Sequence, residues 1–390
     1  MMTMSDLEVL LSEPVRRAVE DNLDRRPTDI ALDGRIAHAA RVATQVKYLQ
    51  RAREKLPAMY SARCILPPLA FEQSSSEACA ARKPLCGGRV LDLTCGLGVD
   101  AAALARRFAQ VVAVERDATL AAVARENFSR LGIDNVAVVE DSAEHFVAAC
   151  GERFDWIFVD PDRRSAEGRK LVRMEDCSPD IIALMPALRR LAPRVAVKCS
   201  PLFDCDEAFR LFSPCTVEVV SLGGECKEVD IYTGAECDTL RAVALGLGEE
   251  SFSRDELHCA VSGESFAGGL WRYMITPDVA LQKSRAALRS LSGIAEMWSR
   301  DGYAFCREPP GRAVLGRIDR IVSIERYRPR ELRREYRGAG VEVLKRDCRL
   351  SVEAIRRAAG LREGGDVRLA FTTIGGETWV IRLEQLSDRL

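Results

Sequence analysis

The chain has 390 residues, 47% of them hydrophobic and 29% charged, and carries a formal net charge of −1. That composition belongs to ordinary globular proteins of two or three domains and excludes disordered and fibrous classes. Its longest apolar run, IIALMPAL, falls far short of the roughly 18 residues of a membrane span, and the start MMTMSDLEVLLSEPV is partly acidic, which together predict a cytoplasmic location. Fourteen cysteines lie scattered without a C-x-x-C pair and the three histidines (His38, His145, His258) show no ligand spacing, so reduced thiols and no metal site are expected. Charge is unevenly spread: residues 307–390 hold 19 Lys plus Arg against 13 Asp plus Glu, and residues 1–306 hold 38 against 45. A basic tail on an acidic body suits contact with nucleic acid, and it suits equally a solvated arginine-rich helix face.

Taken in chain order, SEPVRRAVEDNL and GRIAHAARVATQVKYLQRAREKL space apolar residues by three and four and stop before Pro57, which predicts helices. After Pro67 and Pro68, Ser74 and Glu77 have capping-box spacing for a helix running to Lys83. From Arg89 short β-branched runs (RVLDLTC, QVVAVE, NVAVVED, DWIFVD, RVAVKCS) alternate with helical stretches, the pattern of a parallel sheet covered by helices. TVEVVSLGG and KEVDIYTG, joined through glycines, predict a closing antiparallel hairpin at the sheet edge and seven strands in all. Beyond residue 245 the rhythm changes to small α+β units, with a helix at PDVALQKSRAALRSL, strands around YAFCRE and AVLGRIDRIVSIERY, a helix at SVEAIRRAAGL and strands at DVRLAFTTI and TWVIRLEQL. The expected division is 1–80 helical, 81–245 α/β, 246–320 small α+β and 321–390 a terminal α+β unit.

The chemistry-bearing residues sit at strand ends. LDLTCGLGVDA places Thr94, Gly96 and Gly98 between a strand and a helix, where glycines let a ligand lie against the backbone. Asp92, ending the first strand, would repel the pyrophosphate of a nicotinamide dinucleotide and complement the ammonium of a methionine moiety, which favours S-adenosylmethionine. Glu115 ends the second strand and can accept ribose hydroxyls; Asp141 ends the third and can accept an adenine amine; either can instead cap a helix. Asp160-Pro161 ends the fourth strand and so faces the same crevice, where a carboxylate can hold the N–H of an amine in line with a methyl donor. A purely structural Asp-Pro turn is the alternative. Arg163 and Arg164 read as solvated charges, as partners of Asp162 and Glu167, or as contacts to a substrate phosphate or base. Gln73 either folds over the cofactor or acceptor or belongs to a capping segment.

The order D-x-x-x-G-x-G, acidic strand ends and Asp-Pro resembles class I S-adenosylmethionine-dependent methyltransferases. With KLPAMYSARCILPPLAFEQSSSEACAARK, VDPDRR, KCSPLFD, SLGGECKEVDIYTG and VEVLKRDCRLSVEAIRRAAGLREGGDVRLAFTTIGG, nearly the whole chain is similar to bacterial methyltransferase-like proteins with a C-terminal THUMP-like domain. The catalytic part also looks distantly like RNA guanine-N2 methyltransferases of the trimethylguanosine-synthase kind. This resemblance implies a Rossmann-like α/β catalytic domain, a ferredoxin-like unit followed by a THUMP-like one, S-adenosylmethionine as methyl donor and an RNA substrate. Family roles carry to Asp92, Gly96, Gly98, Glu115, Asp141 and Asp160-Pro161. Amino-methyltransferases follow Asp-Pro with a second proline and a stacking aromatic, and here Asp162, Arg163 and Arg164 stand instead. Three functions follow as candidates: RNA methylation at a base amine or ring atom, methylation of a small molecule or protein, and S-adenosylmethionine binding without catalysis.

Overall fold

The computed structural model describes residues 2–162, 174 and 177–385, so Arg163, Arg164 and Glu167 lie outside the described residues. The chain divides into two compact units, one formed by Met1–Phe203, Phe212–Cys215 and Asp230–Glu236, the other by Asp204–Leu211, Thr216–Val229 and Cys237–Leu390. Among the described residues no helix is long and apolar enough to cross a membrane.

The first unit begins with short helices. Met4–Leu11, inside the segment expected to be helical, is capped by a reciprocal box between Thr3 and Asp6. Ala39–Lys55 buries Val42, Val46, Leu49 and Ala52, a three- and four-residue stripe, and the chain leaves helix at Leu56, just ahead of Pro57. The expected box at Ser74 gives way to a different cap: Ser76 accepts from the N–H of Cys79, and the helix runs Glu77–Arg82. Glu77 is unavailable to a local box because its carboxylate accepts the N–H groups of Ala58 and Met59 across the chain.

Five parallel strands follow: β1 (Gly87–Asp92), β2 (Phe108–Glu115), β3 (Val136–Glu140), β4 (Trp156–Val159) and β5 (Val195–Cys199). They lie in the order β3-β2-β1-β4-β5, with β1 registered on both β2 and β4. Chain order therefore reverses between β1 and β4, and an open α/β sheet leaves a crevice at the carboxyl ends of two such strands. The connecting helices Val99–Ala105, Ala118–Arg130 and Ala143–Ala149 fall where apolar periodicity predicts them. One apolar cluster joins the N-terminal helices to Leu97, Val99 and Val123, and a second, around Val90, Val111, Phe128 and Phe158, fills the sheet.

Strands β6 (Cys215–Leu222) and β7 (Glu225–Thr233) are joined by Gly223 and Gly224, both at positive φ (61° and 78°), as a two-residue hairpin turn requires. Two strands that the sequence reading missed, β8 (Thr239–Leu245) and β9 (Gly248–Ser253), continue past β6, so the sheet has nine strands and not seven, and the hairpin is not its edge. The β8 run TLRAVAL is apolar enough for a strand. It pairs parallel to β6, a crossover that no local turn signals.

The second unit also contains an eight-stranded sheet. Its strands are β10 (Tyr273–Pro277), β11 (Glu296–Met297), β12 (Ala304–Cys306), β13 (Gly316–Arg326), β14 (Gly340–Lys345), β15 (Arg362–Glu363), β16 (Val367–Ile374) and β17 (Glu377–Gln385), ordered β11-β12-β10-β13-β17-β16-β14-β15. The segments 246–320 and 321–390 thus contribute to one sheet, through the antiparallel pairs β10 with β13 and β13 with β17. Helices Pro329–Tyr336 and Val352–Ala359 bury Leu332, Tyr336, Ile355 and Ala359 in a common cluster with β14 and β16.

Candidate active site

The crevice at the β1/β4 reversal is a cleft of about 1190 Å³ in the first unit. Its floor comes from the ends of β1, β2, β4 and β5. Its other wall is the N-terminal helices, through Asp6, Arg41, Gln45, Leu69 and Gln73. Of the residues singled out in the sequence, Gln73, Thr94, Gly96, Glu115, Asp141, Asp160 and Pro161 line it, and Asp92 and Gly98 stand outside the lining.

Those two shape the turn. Asp92 is fully buried and its Oδ1 accepts the Thr94 N–H at 3.0 Å, so the carboxylate folds the chain back after β1. Its Oδ2 has no hydrogen-bond partner, and burial pushes the carboxyl up to about 8. Gly98 sits at φ 85° and a Cβ there would lie 2.7 Å from the Phe128 ring, so only glycine fits. Gly96, at φ 55°, is different: a Cβ would meet only the Thr94 carbonyl at 3.9 Å and would otherwise project into the cleft that Gly96 lines. Its missing side chain leaves room for a ligand against the backbone.

Glu115 ties β2 to this turn. Its Oε2 accepts the Gly96 N–H at 2.8 Å and its Oε1 accepts the Asp117 N–H at 2.9 Å, each oxygen keeping a second lone pair. Asp141 accepts from Ser142 N–H at 2.8 Å and meets His145 Nδ1 at 2.7 Å, and that histidine contact holds its carboxyl below the usual range. The caps of the helices after β2 and β3 are Asp117 and Ser142, which leaves neither Glu115 nor Asp141 as an N-cap.

At the end of β4 the Asp160 N–H donates to the Thr94 hydroxyl at 2.7 Å. The loop then returns through Asp162, whose N–H donates to the Ser178 carbonyl at 2.8 Å and whose carbonyl accepts the Ser178 N–H at 3.0 Å. Desolvation raises the Asp160 carboxyl above its ordinary value even though the Lys198 ammonium, 2.5 Å away, opposes the shift.

Sequence reasoning missed the charged floor. Asp100 lies 3.1 Å from Lys83 and 3.6 Å from Lys198, and accepts the Ser75 hydroxyl at 2.9 Å. Burial pushes Asp100 up, but the two ammonium groups outweigh it and hold the carboxyl at about 2. No spacing could announce this group, because Ser75, Lys83, Asp100 and Lys198 come from four separate segments.

The residues fit S-adenosylmethionine. A glycine cradle opens on the cleft, and the carboxylates of Glu115 at the end of β2 and of Asp141 and Asp160, directly after β3 and β4, line it. Such an acidic site suits a cationic ligand with hydroxyls and an amine and disfavours a pyrophosphate.

Comparison with known proteins agrees. Residues 90–164 match the methyltransferase domain family and residues 316–385 the THUMP domain-like family. An uncharacterized S-adenosylmethionine-dependent methyltransferase of Mycobacterium tuberculosis is 28% identical over 299 residues, covering 75% of this chain and 79% of that protein. The 23S rRNA (uracil(1939)-C(5))-methyltransferase RlmD of Klebsiella pneumoniae is 37% identical over 118 residues, 29% of this chain and 24% of that protein. A crystallised chain from Porphyromonas gingivalis W83 shares the fold at a TM-score of 0.80, with 24% identity over 96% of this chain and 98% of that one. The chain carries a methyltransferase domain and, C-terminal to it, a THUMP domain-like segment.

Proposed function

We propose that this methyltransferase modifies RNA, at a base amine or ring atom positioned by Asp160-Pro161, in the cytoplasm. The observation that carries the reading is the cleft itself. At about 1190 Å³ it exceeds the roughly 300–1000 Å³ of a single small-molecule pocket, and the Asp160 carboxylate faces it beside the acids that suit S-adenosylmethionine. An RNA substrate is supported by the likeness to an rRNA methyltransferase and by the arginine-rich C-terminal unit.

S-adenosylmethionine supplies an electrophilic methyl group on a sulfonium, so the protein's share of the work is binding, orientation and care of the proton. In this reading Gly96 lets the donor rest on the backbone, Glu115 takes its ribose hydroxyls and Asp141 its adenine amine. Asp92 and Gly98 hold the turn that presents them. Asp160 accepts the acceptor's N–H, which fixes the nitrogen lone pair in line and steadies the positive charge that grows on it. Gln73 borders the acceptor from the helical wall. Arg163 and Arg164 meet phosphate. Residues 1–80 wall the cleft, 81–245 carry the chemistry, and 246–320 with 321–390 bind RNA.

Carbon methylation of the RlmD kind fits less well, since attack through a base carbon needs a thiolate nucleophile. Among the described residues Cys95 is the thiol lining the cleft, and burial pushes it well above its ordinary value. The test is transfer of labelled methyl to total bacterial RNA, followed by nucleoside analysis. Label in RNA, lost in Asp160→Ala, is expected; label in protein or small molecules overturns the RNA reading, and donor binding without transfer to any fraction overturns catalysis.

A further inference from the structure

We propose that Lys198 is the positioning residue for Asp160, fixing the orientation and charge of the carboxylate that meets the acceptor. The inference rests on the reading above, in which Asp160 takes the acceptor.

The geometry is a chain of alternating charge. Lys198, on β5, places its ammonium 2.5 Å from Asp160 and 3.6 Å from Asp100. Asp100 is held in turn by Lys83 at 3.1 Å, and Lys83 lies 3.9 Å from the buried Asp230. The links differ in exposure. The Lys83 and Asp230 side chains are each 2% exposed, Asp100 and Lys198 each 11%, and Asp160 36%. The chain thus runs from the core to the cleft and ends on its most exposed carboxylate.

Burying ion pairs seldom adds stability over apolar residues of the same shape, so stability alone does not account for two lysines beneath a cleft. What the arrangement does supply is a fixed rotamer. Asp160 alone could turn about its χ1, but Lys198, itself braced by Asp100, holds Oδ2 of Asp160 while the residue lines the cleft. The described charges around Asp160 are Lys198 from β5, Asp100 from the helix Val99–Ala105, Lys83 ahead of β1 and Asp92 at the end of β1. Lys198 is the largest influence opposing desolvation of Asp160.

The experiment uses the full chain, S-adenosylmethionine and total bacterial RNA, and measures the transfer rate against pH beside donor affinity by calorimetry. Ionised Asp160 is the stronger acceptor of an N–H and the form that stabilises the positive charge growing on it, so its titration sets the acid limb of the profile. In Lys198→Met the limb should move up by about 1–3 pH units, as loss of an adjacent opposite charge implies, with donor affinity unchanged. In an Asp160→Asn background the same substitution should cost nothing further, because the two act as one. Lys198→Arg, which keeps the charge but cannot copy the single ammonium donor, should leave the limb in place and lower kcat; it serves also if the methionine variant fails to fold. An unmoved limb, equal losses in both backgrounds, a parallel loss of donor affinity, or a wild-type rate in Lys198→Arg would each overturn the inference. Asp160→Asn acting at the wild-type rate would instead remove the acceptor role of Asp160, a separate failure.

Discussion

The Thr94 hydroxyl accepts the backbone N–H of Asp160 at 2.7 Å, which joins the glycine turn after β1 to the loop after β4. Two strand ends that line the same cleft are therefore held at a fixed spacing by one side chain. Thr94→Val keeps the shape and removes the acceptor, leaving a partly buried N–H unpaired at a cost of about 1–3 kcal/mol. The expected outcome is a lower melting temperature and a methyl-transfer rate that falls more than donor affinity does, with Thr94→Ser close to wild type. Scanning calorimetry and labelled transfer check it.

Gly98→Ala should damage both folding and donor binding. The new Cβ would sit 2.7 Å from the Phe128 ring, and the residue would be held at φ 85°, which costs an L side chain on the order of 1–2 kcal/mol before any clash. Adding Phe128→Leu should recover only the part due to the clash. Denaturant titration of the single and double variants separates the two contributions.

Asp92 makes stability depend on pH in a defined direction. Its carboxyl is near 8 in the folded chain against 3.8 for the ordinary side chain, so between those values the folded state holds a proton that the unfolded state has released. Its contribution to stability therefore declines as pH rises from about 4 to about 8 and is level above. Asp92→Asn keeps an oxygen for the Thr94 N–H and lacks this titration, so its melting temperature should gain on wild type across that window. Asp100, held at about 2, acts oppositely: its contribution is present above about 4 and is lost as pH falls toward 2. A series of melts in matched buffers reads both.

The helix Pro329–Tyr336 buries Leu332 and Tyr336 and exposes Arg330, Arg333 and Arg334. If these meet RNA phosphates, replacing all three by alanine should flatten the dependence of log affinity on log salt by about 2–3, with little loss of stability at exposed positions. Filter binding of total RNA from low to moderate salt measures the slope, and an unchanged slope would place the RNA elsewhere.

The βαβ alternation from Arg89 to Ser200 was legible because each strand and helix there carries its own period, and acids at parallel strand ends converge wherever such a sheet forms. The cap at Ser76 was not, since three consecutive serines offer the same chemistry and the choice depends on Glu77 being engaged by Ala58 and Met59. Strands β8 and β9 escaped notice because a parallel crossover to β6 leaves no turn signal. Lys83 and Lys198 look like any lysines beside a strand; only the closed sheet brings them to Asp100.

The contact between Lys83 and Asp230 also bears on how the chain matures. Lys83 leaves the ribosome with the first helices, while Asp230 arrives only after all five parallel strands have been made. A nascent chain halted between β5 and β7 has the glycine turn, Asp100 and Asp160 in hand but lacks the second, deeper carboxylate beside Lys83. Completion of the charged floor thus marks the end of vectorial assembly for this unit, and released fragments short of Asp230 should be open to proteolysis where the finished cleft is not.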